Sequence, residues 1–218
     1  RIQSSIEYFP DVKLHLITRK GKLRRMAKII YQIDRIRTEH RPIHEHLMKM
    51  IRFTTQEALN KKDGLPLKNL EAGFAGELFL KITKPWSIMN AMNRIGIGRM
   101  VALHSYQGIV NSSGVGLLTI DGIDKNSFIR GGQALERMWL TLSSLGLSMQ
   151  PMTAVTLFYM RLALNKQINF QNRHLSILKR LESEYKLLFP ELQKKDVGQI
   201  MLFRFGYADD IQCRTLRS

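Results

Sequence analysis

Apolar residues recur at intervals of three and four across residues 21–37. Leu23, Met26, Ile30, Ile33 and Ile36 form one stripe, and Lys22, Arg24, Arg25, Lys28 and Arg35 lie mostly off it. That period predicts an amphipathic helix. Just before it, Val12, Leu14 and Leu16 alternate with Lys13 and His15, the pattern of a half-buried or edge strand. A second helix is expected after Pro42, where Ile43, Leu47, Met50 and Ile51 have helical spacing. Thr54 followed three residues later by Glu57 matches a capping box, and Asp63-Gly64 marks a turn in the loop 60–66. Residues 67–98 are looser, with helical pieces at 74–82 and 86–94, punctuated by Gly96 and Gly98.

The second half is more strongly patterned. Residues 114–120 read as a buried strand. Ser127 is the expected cap of a long helix over 128–145, with Leu135, Met138, Trp139, Leu142 and Leu145 as its apolar face and Gly146 as its stop. A short apolar strand or turn follows. Another amphipathic helix covers 175–188 and ends at Pro190, and the last strand is 199–207. Long helices between strands imply an α+β layered domain. The long helix should pack, Trp139 included, on a sheet containing 117–120 and 202–205. The chain is expected to be one domain over 1–218, with 42–98 as a helical insertion or lid.

Composition narrows the classes. With 218 residues and 44% apolar content the chain can bury a full core. No stretch suits a bilayer span, because the longest apolar region, 149–164, is broken by Pro151 and Arg161. One cysteine, Cys213, excludes an internal disulfide framework and a cysteine zinc site, which fits a cytoplasmic protein. The chain opens Arg1-Ile-Gln-Ser-Ser, without signal-peptide pattern or initiating Met, and so is expected to be a piece of a longer or processed product. A formal charge of +16, from 34 basic against 18 acidic residues, favours anionic partners without choosing among them.

Candidate chemistry is sparse. His40 and His44 have the four-residue spacing of a metal pair, but Pro42 interrupts that helix and no third ligand is evident, so a polar helix start including His46 is the better reading. Gly114 and Gly116 stand at a strand start rather than between a strand and a helix, so they indicate a bulge or close packing, not a dinucleotide site. There is no Walker sequence, GxSxG or paired acidic motif, which weighs against phosphotransferases and hydrolases. The basic run from Lys20 to Arg25 reads as a solvated helix face. Arg214 and Arg217 follow the strand end Phe205-Gly206-Tyr207. A guanidinium fork suits a phosphate, and a basic C-terminus explains them equally well.

Taken in order, several segments resemble the nitroreductase-like flavin family, in particular a divergent branch with an internally paired architecture and a lid, sometimes fused behind an adenylating domain of the ubiquitin-activating type. They are Ile33-Asp-Arg-Ile-Arg37, Phe53-Thr-Thr-Gln-Glu-Ala58, Lys62-Asp-Gly-Leu-Pro66, Gly131 to Leu140, Leu145-Gly-Leu147 with Gln150-Pro-Met-Thr-Ala154, and Phe203-Arg-Phe-Gly-Tyr207 with the arginine tail. The resemblance implies a nitroreductase-like fold, with a central, mostly antiparallel sheet flanked by helices. It also implies a bound FMN, with NAD(P)H as electron donor and a small electron-poor acceptor. Arg217, then Arg214, best match the phosphate-binding position. Thr153 and Ala154, beside Pro151, match the turn whose backbone N–H groups meet the flavin edge. Two features depart from the family. Thr153-Ala154 stands where many members have Glu-Gly, and the early Arg/Ser/Asn-rich flavin-binding segment has no counterpart, so the chain matches the later two thirds of such a domain. A homodimer, or an internal pseudo-dimer completed by a missing segment, is implied as well. Two rivals stand beside this reading: a catalytically silent flavin-binding or regulatory module of a fused protein, and a basic nucleic-acid-binding protein. The second lacks a recognisable module or an aromatic-basic stacking surface.

Overall fold

The computed structural model describes residues 1–70, 72–163 and 170–209. In chain order its elements are β1 (Val12–Ile17), α1 (Lys20–Glu39), α2 (Arg41–Met50), β2 (Ile51–Arg52), α3 (Thr55–Lys61), β3 (Leu65–Pro66), α4 (Gly73–Ile82), α5 (Trp86–Arg94), α6 (Ile97–Val110), β4 (Gly114–Asp121), α7 (Lys125–Ser144), β5 (Ser148–Pro151), α8 (Thr153–Ala163), α9 (Asn172–Leu188) and β6 (Val197–Gly206). This is an α+β protein. It divides into two compact units, one of Arg1–Asp34 with Ala102–Ala208 and one over Arg35–Val101, with the boundaries inside α1 and α6.

The first unit is built on an antiparallel sheet of order β1-β4-β6-β5. Strand alternation sends successive side chains to opposite faces. On one face Val12, Leu14, Leu118, Ile120, Phe203 and Phe205 join Ile6 and the α7 residues Ala134, Met138 and Leu142 in a single core. The strands expected at 117–120 and 202–205 are therefore paired, with Leu117 opposite Leu202. On the other face the Tyr185 hydroxyl donates to Gln199 at 2.9 Å, and His15 meets the Phe189 ring edge-on. Because β4 is buried on both faces, its sequence is a continuous apolar run, not an alternating one. Gly114 and Gly116 are close-packing positions. A Cβ at Gly116 would enter the Phe203 ring, and one at Gly114 would sit 2.5 Å from Cζ of Phe205.

Several expectations need correction. The cap of α7 is Asp124, whose carboxylate accepts from the Asn126 and Ser127 N–H groups at 2.9 and 3.2 Å. Ser127 lies inside the first turn, and its hydroxyl donates to Asp124 at 2.5 Å, which holds that carboxyl below its ordinary pKa. Trp139 is not in the core. It is 38% exposed while Met138 beside it is fully buried, because the buried stripe of α7 runs Gly131, Ala134, Met138, Leu142. Residue 139 lies about 100° further round the helix. Leu16 is exposed, and Ile17 is buried at the end of β1 instead. In α2 the buried positions are His44 and Met48. Met50 is exposed, and Ile51 is buried only after the chain has entered β2. Gly98 punctuates nothing, since it lies within α6.

The second unit carries α4 and α5 over the expected residues. Its small core is Met48, Ile51 and Leu67, with Leu47, Phe53, Leu70 and Leu80 against them. The β2–β3 pair is parallel, with Ile51 opposite Leu65. The Thr54–Glu57 capping box is present. Thr54 Oγ1 accepts from the Glu57 N–H at 3.1 Å, and Glu57 Oε2 accepts from the Phe53 N–H at 3.0 Å, one residue earlier than the usual reciprocal bond. That backbone bond lowers the Glu57 pKa. At the expected Asp63-Gly64 turn, Gly64 has φ +68° and a Cβ there would strike the Met50 carbonyl, so the position admits only glycine.

Candidate functional site

The corner that joins β5 to α8 holds Pro151, Thr153 and Ala154, the described residues that the resemblance singles out as flavin contacts. Helix α7 stops as expected at Gly146, with φ +71°, and the Leu147 N–H returns to the Leu142 carbonyl at 3.0 Å. Strand β5 then pairs with the end of β6, Ser148 opposite Gly206 and Pro151 opposite Phe203. The Met152 N–H donates to the Leu202 carbonyl at 2.7 Å, and α8 starts at the next residue. Thr153 and Ala154 thus form the first turn of a helix. Backbone N–H groups there have no intrahelical acceptor and point outward at the positive end of the helix dipole. Pro151 and Thr153 are exposed and Ala154 is half-buried. Arg214 and Arg217 lie outside the described residues.

One residue of this corner was missed in the sequence. Arg204 of β6 is half-buried directly opposite Gln150. Its Nε donates to Gln150 Oε1 at 2.5 Å and its Nη1 to the Gly108 carbonyl of α6 at 2.6 Å. A Cβ at Gly108 would collide with the guanidinium, so α6 approaches it with bare backbone. Burial lowers the Arg204 pKa from its ordinary value. The sequence held a signal. Arg204 is the cation between Phe203 and Phe205, and alternation places it on the face opposite those core rings.

A second polar cluster in the same unit surrounds a cavity of about 270 Å³ lined by Tyr159, Glu182, Tyr185, Lys186, Lys194 and Gln199, among others. The Tyr159 and Tyr185 rings stack with centroids 4.8 Å apart. Burial raises both phenol pKa values far above the ordinary one, so both stay protonated. Its lysines are occupied, Lys186 with Glu182 and Lys194 with Glu191, each at 2.7 Å.

The remaining sequence candidates separate. The His40 ring accepts from the Ile43 N–H at 3.4 Å, capping α2. His44 is buried, 3.3 Å from the Lys84 carbonyl and packed on Trp86, and His46 is exposed. In the basic run of α1, Lys20, Lys22 and Arg24 are exposed, and Arg25 pairs with Glu184 at 2.7 Å.

Comparison with known proteins finds a distant relative, "Uncharacterized protein MT1398" of Mycobacterium tuberculosis (strain CDC 1551 / Oshkosh). It is 26% identical over 147 residues, which are 67% of this chain and 20% of the relative. The chain thus spans about a fifth of that protein's length. No family model matches the chain, and no solved structure matches it.

Proposed function

We propose that the chain is part of an FMN-dependent oxidoreductase of the nitroreductase type. The observation that carries the reading is the β5–α8 corner. A stopped long helix leads into a four-residue edge strand on the last core strand, and then into a helix whose first turn begins at Thr153 and Ala154. The order of the family-like segments and the antiparallel sheet under α7 support it. These residues fit the flavin in part: first-turn backbone donors suit the edge of a planar heteroaromatic ring, and Arg204, opposite Gln150 of the preceding strand, adds a half-buried cation to the same stretch.

When bound, the flavin supplies hydride chemistry between NAD(P)H and an electron-poor acceptor. The N–H groups of Thr153 and Ala154 would hold its ring edge, and Arg217 with Arg214 its phosphate. The chain's task is binding and orientation, which needs no side-chain acid or base and agrees with a corner built of backbone donors, a proline and a guanidinium.

The test is the absorbance spectrum of the purified full-length protein, with the released chromophore identified by chromatography. Flavin bands that bleach on addition of NAD(P)H are expected. A colourless protein that also fails to take up added FMN would sink the proposal. Thr153-Ala154 in place of the family's Glu-Gly favours one variant of it, a flavin-holding module without turnover, which would show the bands and no bleaching.

A further inference from the structure

Arg52 and Arg204 are both partly drawn out of solvent, and they are satisfied differently. Arg52, whose side chain is 7% exposed, has carboxylates at hand. Asp63 accepts from its Nε and Nη2 at 2.9 and 2.8 Å, Glu57 lies 3.7 Å from Nη1, and the Lys49 carbonyl takes a further bond. That is the usual condition of a buried cation, which is costly unless paired. Arg204 has only neutral acceptors, the Gln150 amide oxygen and the Gly108 carbonyl, and makes no ion pair among the described residues. Its Nη2 forms no hydrogen bond and is not sealed from solvent.

The seat of Arg204 is constructed. Gln150 is fixed opposite it by strand register. Gly108 sits within a helix, where glycine costs about 1 kcal/mol relative to alanine, at a point where any side chain would collide with the guanidinium. The two acceptors fix Nε and Nη1 and leave Nη2 as the guanidinium nitrogen without a hydrogen bond among the described residues. Thr153, where α8 begins, is three residues along from Gln150, about 10 Å of extended chain, so the positive end of that helix adds to the same corner.

We infer that Arg204 is the recognition residue of a small-anion subsite, in which its free Nη2 edge takes an oxygen of a carboxylate or phosphate carried by a small-molecule ligand at the β5–α8 corner. The inference stands on the chain's own residues and does not require a bound flavin. Neutral acceptors behind the guanidinium leave its charge available, and a guanidinium edge pairs with carboxylate or phosphate oxygens more directionally than an ammonium does.

The experiment is thermal melting of the full chain at constant ionic strength, titrated in separate arms with inorganic phosphate and with acetate. Wild type, Arg204→Gln, Arg204→Lys and Lys22→Ala are compared. Wild type should show a saturable rise in Tm, and the anion with the lower midpoint names the ligand's acidic group. Arg204→Gln should lose the rise, Arg204→Lys should need at least about tenfold more anion, and Lys22→Ala, which removes one exposed cation, should match wild type. Equal midpoints in wild type and Arg204→Gln would mean that Arg204 only fastens β5 and α6 to β6, and would overturn the inference. So would the absence of a saturable response in wild type, or an equal loss in Lys22→Ala, which would point to diffuse charge. If circular dichroism shows Arg204→Gln unfolded, Arg204→Lys decides: a wild-type midpoint in that variant overturns the inference.

Discussion

Gly116→Ala should destabilise the first unit, although it adds a single methyl group to a β-strand. The new Cβ would lie 2.7 and 2.8 Å from the Cε2 and Cε1 atoms of Phe203, and closer still to Cζ. Phe203 is fully buried in the α7-side core, between its neighbours on β6 and the helix above. A stiff ring in that setting must move as a whole, and overpacking of this kind costs roughly 1–3 kcal/mol. Losing a glycine from a strand recovers about 0.5–1 kcal/mol of chain entropy, so the net loss should fall within about 0–2.5 kcal/mol and centre near 1 kcal/mol. Urea denaturation can read it from Trp139 fluorescence in a Trp86→Phe background, since the chain has 2 tryptophans. The midpoint should fall while the slope is unchanged. In a Phe203→Ala background, itself costing about 3–5 kcal/mol, the added methyl should become neutral or slightly favourable, because it enters space the ring has left. Gly132→Ala, on the exposed side of α7 with nothing within 4 Å of the new Cβ, should raise the midpoint by about 1 kcal/mol. If Gly116→Ala leaves the midpoint unchanged, or costs as much without the Phe203 ring as with it, the packing argument is wrong.

Two further outcomes follow from the polar groups of the same unit. The Tyr159 hydroxyl is buried without a hydrogen-bond partner. Tyr159→Phe should therefore stabilise by about 1–3 kcal/mol, the cost of an unsatisfied buried group, and a lowered Tm would show that the hydroxyl has a partner in solution. Glu191 accepts from Lys194 at 2.7 Å and Lys13 at 2.9 Å, bonds that hold its pKa at about 2 against an ordinary 4.5. A depressed carboxyl pKa gives stability that is present above 4.5 and is lost as pH falls toward 2. Glu191→Gln should flatten the stability–pH curve over that interval, and a curve as steep as wild type there would count against the pairing.

The sequence was most legible where burial is one-sided and local. Helix α1 was readable because Leu23, Met26, Ile30, Ile33 and Ile36 face one way along about four turns and are all buried. Helices α4 and α5 fall on the expected pieces, and Gly96, with φ +88°, lies at the expected break just after α5. Trp139 was misplaced because size is a poor guide to which side of a helix turns inward. The small residues Gly131 and Ala134 let α7 lie close on the sheet, and the stripe they begin passes Met138 rather than its larger neighbour. Ser127 was read as the cap, while Asp124 three positions earlier takes that role; both residue types cap well, and only geometry shows which one accepts from the first-turn N–H groups. Arg204 was passed over for a physical reason: a cation on a strand between two core aromatics reads as an edge or an interruption until its partners, 54 and 96 residues away, are known. The arginine tail lies outside the described residues, so its part of the site rests on the resemblance.

The two borders of the four-stranded sheet differ in what they can recruit. Strand β5 has only four residues and ends in Pro151, which has no N–H to offer a further strand, and after the Met152 bond to Leu202 α8 takes the chain away. At the opposite border, β1 runs for six residues, and among the described residues no strand lies on its outer side. If a second chain extends the sheet, it must do so along Val12–Ile17. Variants that loosen the α7-side core, Gly116→Ala among them, should self-associate through that border, and a proline at position 14 or 16 would separate lost folding from gained stickiness.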